Sequence, residues 1–215
     1  MKALLLKLQS SIDTNLPIIG KIKIHINSKK RTNFRVYFRD ENVTLTTNKQ
    51  GNLLSSSESG EYVETLNIVN GNFHYVYCAP GEYDVILPNK SKLQDLIISD
   101  YGIYQNIDDF GYLPALNTLS TYSEEINNIT GNVESLSRNI VLNRLVISSS
   151  DIYGDLAKML DGMVSFGRNS GTLEVLPPPR GTMTYDGTKI GTGRSLNFTF
   201  TSDLHTYPRG WYLSE

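Results

Sequence analysis

Leu93-Gln-Asp-Leu96-Ile-Ile98, Leu116-Asn-Thr-Leu119-Ser-Thr121 and Leu142-Asn-Arg-Leu145-Val-Ile147 are three copies of one short pattern within a chain of 215 residues. An aliphatic pair follows each copy: Ile103 and Ile107, Ile129 and Val133, Ile152 and Leu156. Three residues beyond each pair stands another apolar side chain, Phe110, Leu136 or Met159. The first two copies begin 23 residues apart and the next two 26, the extra three falling within residues 122–128. A unit of this length cannot bury its apolar side alone, so successive copies must stack and share a core. Asn106, Gly131-Asn132 and Gly154-Asp155 precede the second aliphatic of each pair. A coil must bend sharply there, and Gly and Asn tolerate such bends. Residues 155–162 read as a helix, with Leu156, Met159, Leu160 and Met163 on one face and Asp155 near its start.

Upstream, residues 1–90 read as antiparallel β-structure. Ile22, Ile24 and Ile26 alternate with Lys21, Lys23 and His25, and Phe34, Val36 and Phe38 alternate with Arg35, Tyr37 and Arg39. Such alternation marks strands with one wet and one buried face. Residues 48–60 read as a long, exposed polar loop. Asn70-Gly71, between strand-like runs at 63–69 and 73–78, predicts a hairpin, and Ala79-Pro80-Gly81 a further turn. About seven short strands imply an antiparallel β-sandwich. Downstream, residues 166–215 return to strand patterns, with Asp186-Gly187 as a second hairpin turn. The expected organisation is a β-sandwich at 1–90, which also serves for attachment, three repeats at 91–165, and a C-terminal β-unit at 166–215. The first and last segments cap the repeat core. The fold class is mainly β.

Charge is uneven. Lys2, Lys7, Lys21, Lys23, Lys29, Lys30, Arg31, Arg35 and Arg39 face only Asp13 within residues 1–39, a balance of +8, whereas the whole chain carries −2. Lys29, Lys30, Arg31 and Arg35 are therefore candidate contacts to an acidic partner, the other reading being a solvated strand face. No aromatic-interleaved motif accompanies the charge, so nucleic acid is not the expected partner. Tyr101, Tyr104, Tyr122 and Tyr153 follow the repeat strands. They read either as an aromatic stripe for a glycan or protein, or as side chains packed on their own loops. Trp211, with Tyr207 and Tyr212, is a further candidate contact.

Catalytic chemistry finds no foothold. His25, His74 and His205 have no His or Cys at metal-ligand spacing, and no phosphate loop, nucleophile elbow or H-E-x-x-H occurs. Asp108-Asp109 and Glu124-Glu125 read as solvated loop charges. The single cysteine, Cys78, allows no intrachain disulfide and reads as a buried structural thiol. The expectation is no enzyme, no metal and no cofactor. The start, Met1-Lys-Ala-Leu-Leu-Leu-Lys-Leu, has an apolar run too short for a signal peptide and reads as a strand. No run is long enough to insert in a membrane.

A period in the twenties with L-x-x-L-x-I is the leucine-rich-repeat signature. Together with Ile129-Thr-Gly-Asn-Val133 and Ile152-Tyr-Gly-Asp-Leu156, it resembles the short, divergent leucine-rich repeats of Bacteroidetes bacteria and of their phages and prophages. Ile103-Tyr-Gln-Asn-Ile107 departs from that form in lacking the Gly. Residues 159–173 resemble a helix ending in a Gly-Arg-x-x-Gly turn into a strand, and residues 182–187 the hairpin that follows it. The resemblance spans about residues 82–215. It implies a virion or host-surface protein of a gut bacterium or its phage, a crAss-like phage among them. With no export signal, the expectation is a virion structural or accessory protein, such as a head fibre, decoration or tail component. Such a protein assembles in the host cytoplasm, contacts other virion proteins as a homo-oligomer, and displays a binding surface. The alternative is an adhesin on the bacterial cell surface that binds a host protein or glycan.

Overall fold

The computed structural model describes residues 20–88, 90–122, 128–148, 150–177, 183–190, 195–201 and 205–206. Among the described residues the strands form two open nine-stranded sheets, and no barrel closes. The first contains β1 (Ile22–Ser28), β3 (Val43–Thr47), β5 (Leu66–Ile68), β7 (Gly81–Leu87), β9 (Ile103–Asn106), β11 (Asn128–Asn132), β13 (Asp151–Asp155), β15 (Met183–Tyr185) and β16 (Thr188–Lys189). The second contains β2 (Thr32–Phe38), β4 (Leu54–Ser55), β6 (Phe73–Cys78), β8 (Leu93–Ile98), β10 (Thr118–Ser120), β12 (Arg144–Val146), β14 (Thr172–Leu176), β17 (Leu196–Phe200) and β18 (His205–Thr206). From β1 to β15 the chain changes sheet at every connection.

That alternation overturns one expected hairpin. The strands flanking Asn70-Gly71 do not pair: β5 lies beside β3 in the first sheet and β6 beside β2 in the second. The turn carries the chain between sheets, held by Gly71 N–H donating to Phe38 C=O and Asn70 N–H donating to the Asn42 side chain. Positive φ at Gly71 suits either kind of turn, so the dipeptide marks a reversal without saying which strands it joins. The Asp186-Gly187 hairpin does form, joining β15 to β16, with both residues at positive φ. The expected exposed loop at 48–60 is interrupted by β4, whose Leu54 is fully buried against the core and whose Ser55 is also buried.

Between β8 and β15 the strands of each sheet pair parallel to one another, and β16, β17 and β18 return to antiparallel pairing. In the second sheet β8, β10, β12 and β14 stack in the register of the sequence pattern, Leu96 beside Leu119 beside Leu145 beside Val175. In the first sheet β9, β11, β13 and β15 stack likewise, but equivalent positions climb by two residues per coil: Ile129 lies beside Gln105 and Ile152 beside Gly131. A shift of two preserves which face each side chain occupies, because the strand repeat is two. The patterned aliphatics from Leu93 to Met159 are all buried in one core that also takes in Ile24, Phe34, Val85 and Phe198. β1 pairs with β9 and β2 with β8, so both sheets run unbroken from the N-terminal strands into the repeated part.

Each coil leaves the first sheet through a helical turn: 3₁₀ at Ile107–Phe110 and Val133–Arg138, and the helix α1 at Leu156–Ser165. Asn106, Asn132 and Asp155 cap these turns with a side-chain oxygen that accepts from the backbone N–H two residues on. The caps are tied in series. Asn132 N–H donates to Asp108 and Asp155 N–H donates to Glu134, each one coil back. Gly131 and Gly154, at φ 123° and 109°, lie against the carboxamides of Asn106 and Asn132, where a Cβ would collide. On the return side, buried Asn139 accepts from Leu113 N–H at 2.6 Å and donates to Phe110 C=O at 2.8 Å. Arg168 does the same service one coil later, donating to Leu142 C=O, the Asn143 side chain and Thr172 C=O beneath the ring of Phe200. Burial pulls its guanidinium down to about 10.

Candidate functional site

The outer face of β2 and β6 carries the densest group of exposed aromatic side chains. In β2 the alternation buries Thr32, Phe34, Val36 and Phe38 and turns Asn33, Arg35 and Tyr37 outward. In β6 Val76 and Cys78 point inward, so Phe73, Tyr75 and Tyr77 share the outer face. Antiparallel register sets Tyr37 opposite Phe73, Arg35 opposite Tyr75 and Asn33 opposite Tyr77.

These side chains form a continuous row. Tyr37 and Phe73 are 5.2 Å apart between ring centroids, and Tyr75 and Tyr77 are 5.8 Å apart and nearly parallel. Between the two aromatic pairs sits the Arg35 guanidinium, 5.8 Å from the Phe73 centroid and 5.3 Å from that of Tyr75. One Nη1 N–H donates to Tyr75 Oη at 3.3 Å. Among the described residues no carboxylate pairs with Arg35. Asp95, opposite Tyr37 on β8, is buried and held by Thr118. Phe73 is 55% exposed and Tyr75 44%. A cation held between two rings keeps its outward N–H edge free and loses little freedom on binding, which suits it to a carboxylate.

The other basic residues expected from the sequence extend this region. Lys29, Lys30 and Arg31 lie exposed at the turn opening β2, and Arg31 stacks over Tyr62 at 5.6 Å. The tyrosines are dispersed. Tyr104 and Tyr153 are strand residues in β9 and β13, on the outer face of the other sheet. The two-residue climb per coil offsets them by four residues along the sheet and by two strands across it, a separation of about 16 Å. Tyr104 meets His25 edge to face at 6.5 Å, and His25 is bonded to Asp84 at 2.9 Å. Tyr101 is exposed in the turn before β9, its carbonyl accepting from Asn128, and Tyr122 is exposed after β10. Trp211 lies outside the described residues.

Sequence reasoning singled out Arg35 but missed its aromatic neighbours, since residues 73–78 read as an apolar strand. The signal was there: Phe73, Tyr75 and Tyr77 recur at every second position opposite Val76 and Cys78, so three rings occupy the wet face. Cys78 is a buried thiol as expected, and burial pushes its pKa up. Among the described residues no group of three His, Cys, Asp or Glu side chains is placed to hold a metal ion, and no helix is long and apolar enough to cross a membrane. No protein-family model matches the chain, and neither a curated protein nor a solved structure matches it.

Proposed function

We propose that this chain is a non-enzymatic attachment protein of a phage particle, a head fibre, decoration or tail component. In this reading the parallel coils are a short leucine-rich-repeat solenoid. The N-terminal strands form a β-sandwich cap that docks onto another virion protein, and the C-terminal hairpin closes the far end. The observation that carries the docking role is the row Tyr37, Phe73, Arg35, Tyr75 and Tyr77 on β2 and β6. Aromatic and Arg side chains dominate the energetics of protein interfaces, and a rigid sheet presents them at small entropic cost. The particle assignment rests on the resemblance of residues 82–215 to repeats of Bacteroidetes and their phages. Virion assemblies are symmetric, so the chain acts there in multiple copies. A second reading, a bacterial surface adhesin, is favoured by the exposed Tyr104 and Tyr153 on the repeat face.

Quantitative mass spectrometry of purified particles tests the proposal. A fixed copy number per particle supports it, and the number distinguishes shell decoration from tail. Absence from particles with recovery in the bacterial envelope overturns it in favour of the adhesin.

A further inference from the structure

The aromatic row stands beside an open strand edge. β4 covers β6 only at its end, where Ser55 pairs with Tyr77 and Leu54 with Cys78. Ala79 N–H donates to Leu53 C=O on that side. Backbone direction alternates along a strand, so Tyr77, Tyr75 and Phe73 turn their N–H and C=O groups the same way. Among the described residues no strand pairs with Phe73 or Tyr75 on that side. These are also the two residues whose rings enclose Arg35. An unpaired edge is a template for an added strand.

The charge around the edge favours one kind of occupant. Among the described residues Arg35 uses one N–H on Tyr75 and pairs with no carboxylate, and Lys29, Lys30 and Arg31 form no ion pair either. We propose that the Phe73–Tyr75 edge receives an extended, acidic segment of a partner protein as an added strand, with a carboxylate of that segment on the outward N–H edge of Arg35. This deepens the docking role above and rests on it. Backbone bonds to Phe73 and Tyr75 supply the register. The aromatic row packs against the segment's outward side chains.

The test uses the full chain, ¹⁵N-labelled, with two dodecapeptide probes, one alternating Thr and Glu and the other alternating Thr and Lys. The Thr–Glu probe is expected to slow hydrogen exchange at the Phe73 and Tyr75 amides, and the Thr–Lys probe to leave them unchanged. Arg35→Gln, which removes no buried contact, should weaken Thr–Glu binding about tenfold. Tyr75→Pro, which deletes the edge N–H at 75 but no bond to β2, should abolish the protection of the remaining Phe73 amide. Equal binding of both probes, saturation by Thr–Glu without protection of these two amides, or no binding at millimolar peptide would each overturn the proposal. Particle copy number keeps the two claims apart. A chain present in particles but indifferent to the probes overturns strand addition alone, and edge-specific binding by a chain absent from particles overturns the virion assignment alone.

Discussion

Asp155 and Asp95 are both buried, but their surroundings drive them in opposite directions. Burial raises the Asp155 carboxyl, yet the N–H groups of Gly187, Asp186 and Ala157 and the Thr184 hydroxyl together outweigh it and hold the pKa below the usual range. A depressed folded pKa adds stability above the unfolded value of about 4, and that stability is lost as pH falls through the folded value. Asp155→Asn is therefore expected to destabilise by about 1–3 kcal/mol at pH 7, the deficit shrinking in acid. Burial dominates at Asp95, and the bonds from Thr118 recover only part of the loss, so its pKa is raised. Its contribution is full below the unfolded value and fades as pH rises through the folded one. Asp95→Asn should raise the urea midpoint at pH 7 and match the wild type at pH 3. Urea unfolding of both variants across this range checks the pair, and parallel pH profiles would contradict the assignment.

The series of caps explains why the first coil departs from the repeat pattern. Gly131 and Gly154 are needed because an Asn carboxamide from the preceding coil lies where their Cβ would be. Gln105 occupies the equivalent position, but the strand before β9 in the sheet is the antiparallel β1, which brings no cap. Its side chain instead donates to Asp109 at 2.9 Å. Gly154→Ala is expected to lower stability by about 2–4 kcal/mol through positive-φ strain and the displaced Asn132 cap. Gln105→Gly should cost about 1 kcal/mol. Chemical denaturation midpoints measure both, and equal losses would refute the steric account. The sequence pattern located these bends and the helix after Asp155, because caps and apolar spacing are local properties. It missed the climb of two residues per coil, which arises from how coils seat on one another. For that reason Tyr104 and Tyr153 align in the pattern and not on the surface.

At the scale of the molecule, the N-terminal strands and the coils share two sheets and one core. Local alternation could name the strands at 22–28 and 32–38, but not their pairing with β9 and β8 some seventy residues on, since long-range register leaves no short-range trace. The fourth rung of each ladder, β14 and β15, was legible as strand yet not as a continuation of the repeats, because Gly171-Thr-Leu-Glu-Val-Leu176 lacks the first Leu of the pattern. A shared core implies one cooperative unfolding event. Cys78, buried and with its pKa raised chiefly by burial, reports on it. Thiol labelling at pH 8 should be negligible in the native protein and appear at the same urea concentration as the loss of circular dichroism. Labelling well before that transition would mean that the N-terminal strands open separately. The capping residues carry a further consequence for how such a chain can lengthen. Asn106 and Asn132 each accept one backbone N–H within their own turn, whereas both oxygens of Asp155 accept, from its own helix and from the turn at 184–187. An amide NH₂ would face donors there, so this cap needs a carboxylate where the two earlier caps use a carboxamide. A coil copied from upstream would bring an asparagine to this junction and set an NH₂ against the N–H groups of Asp186 and Gly187.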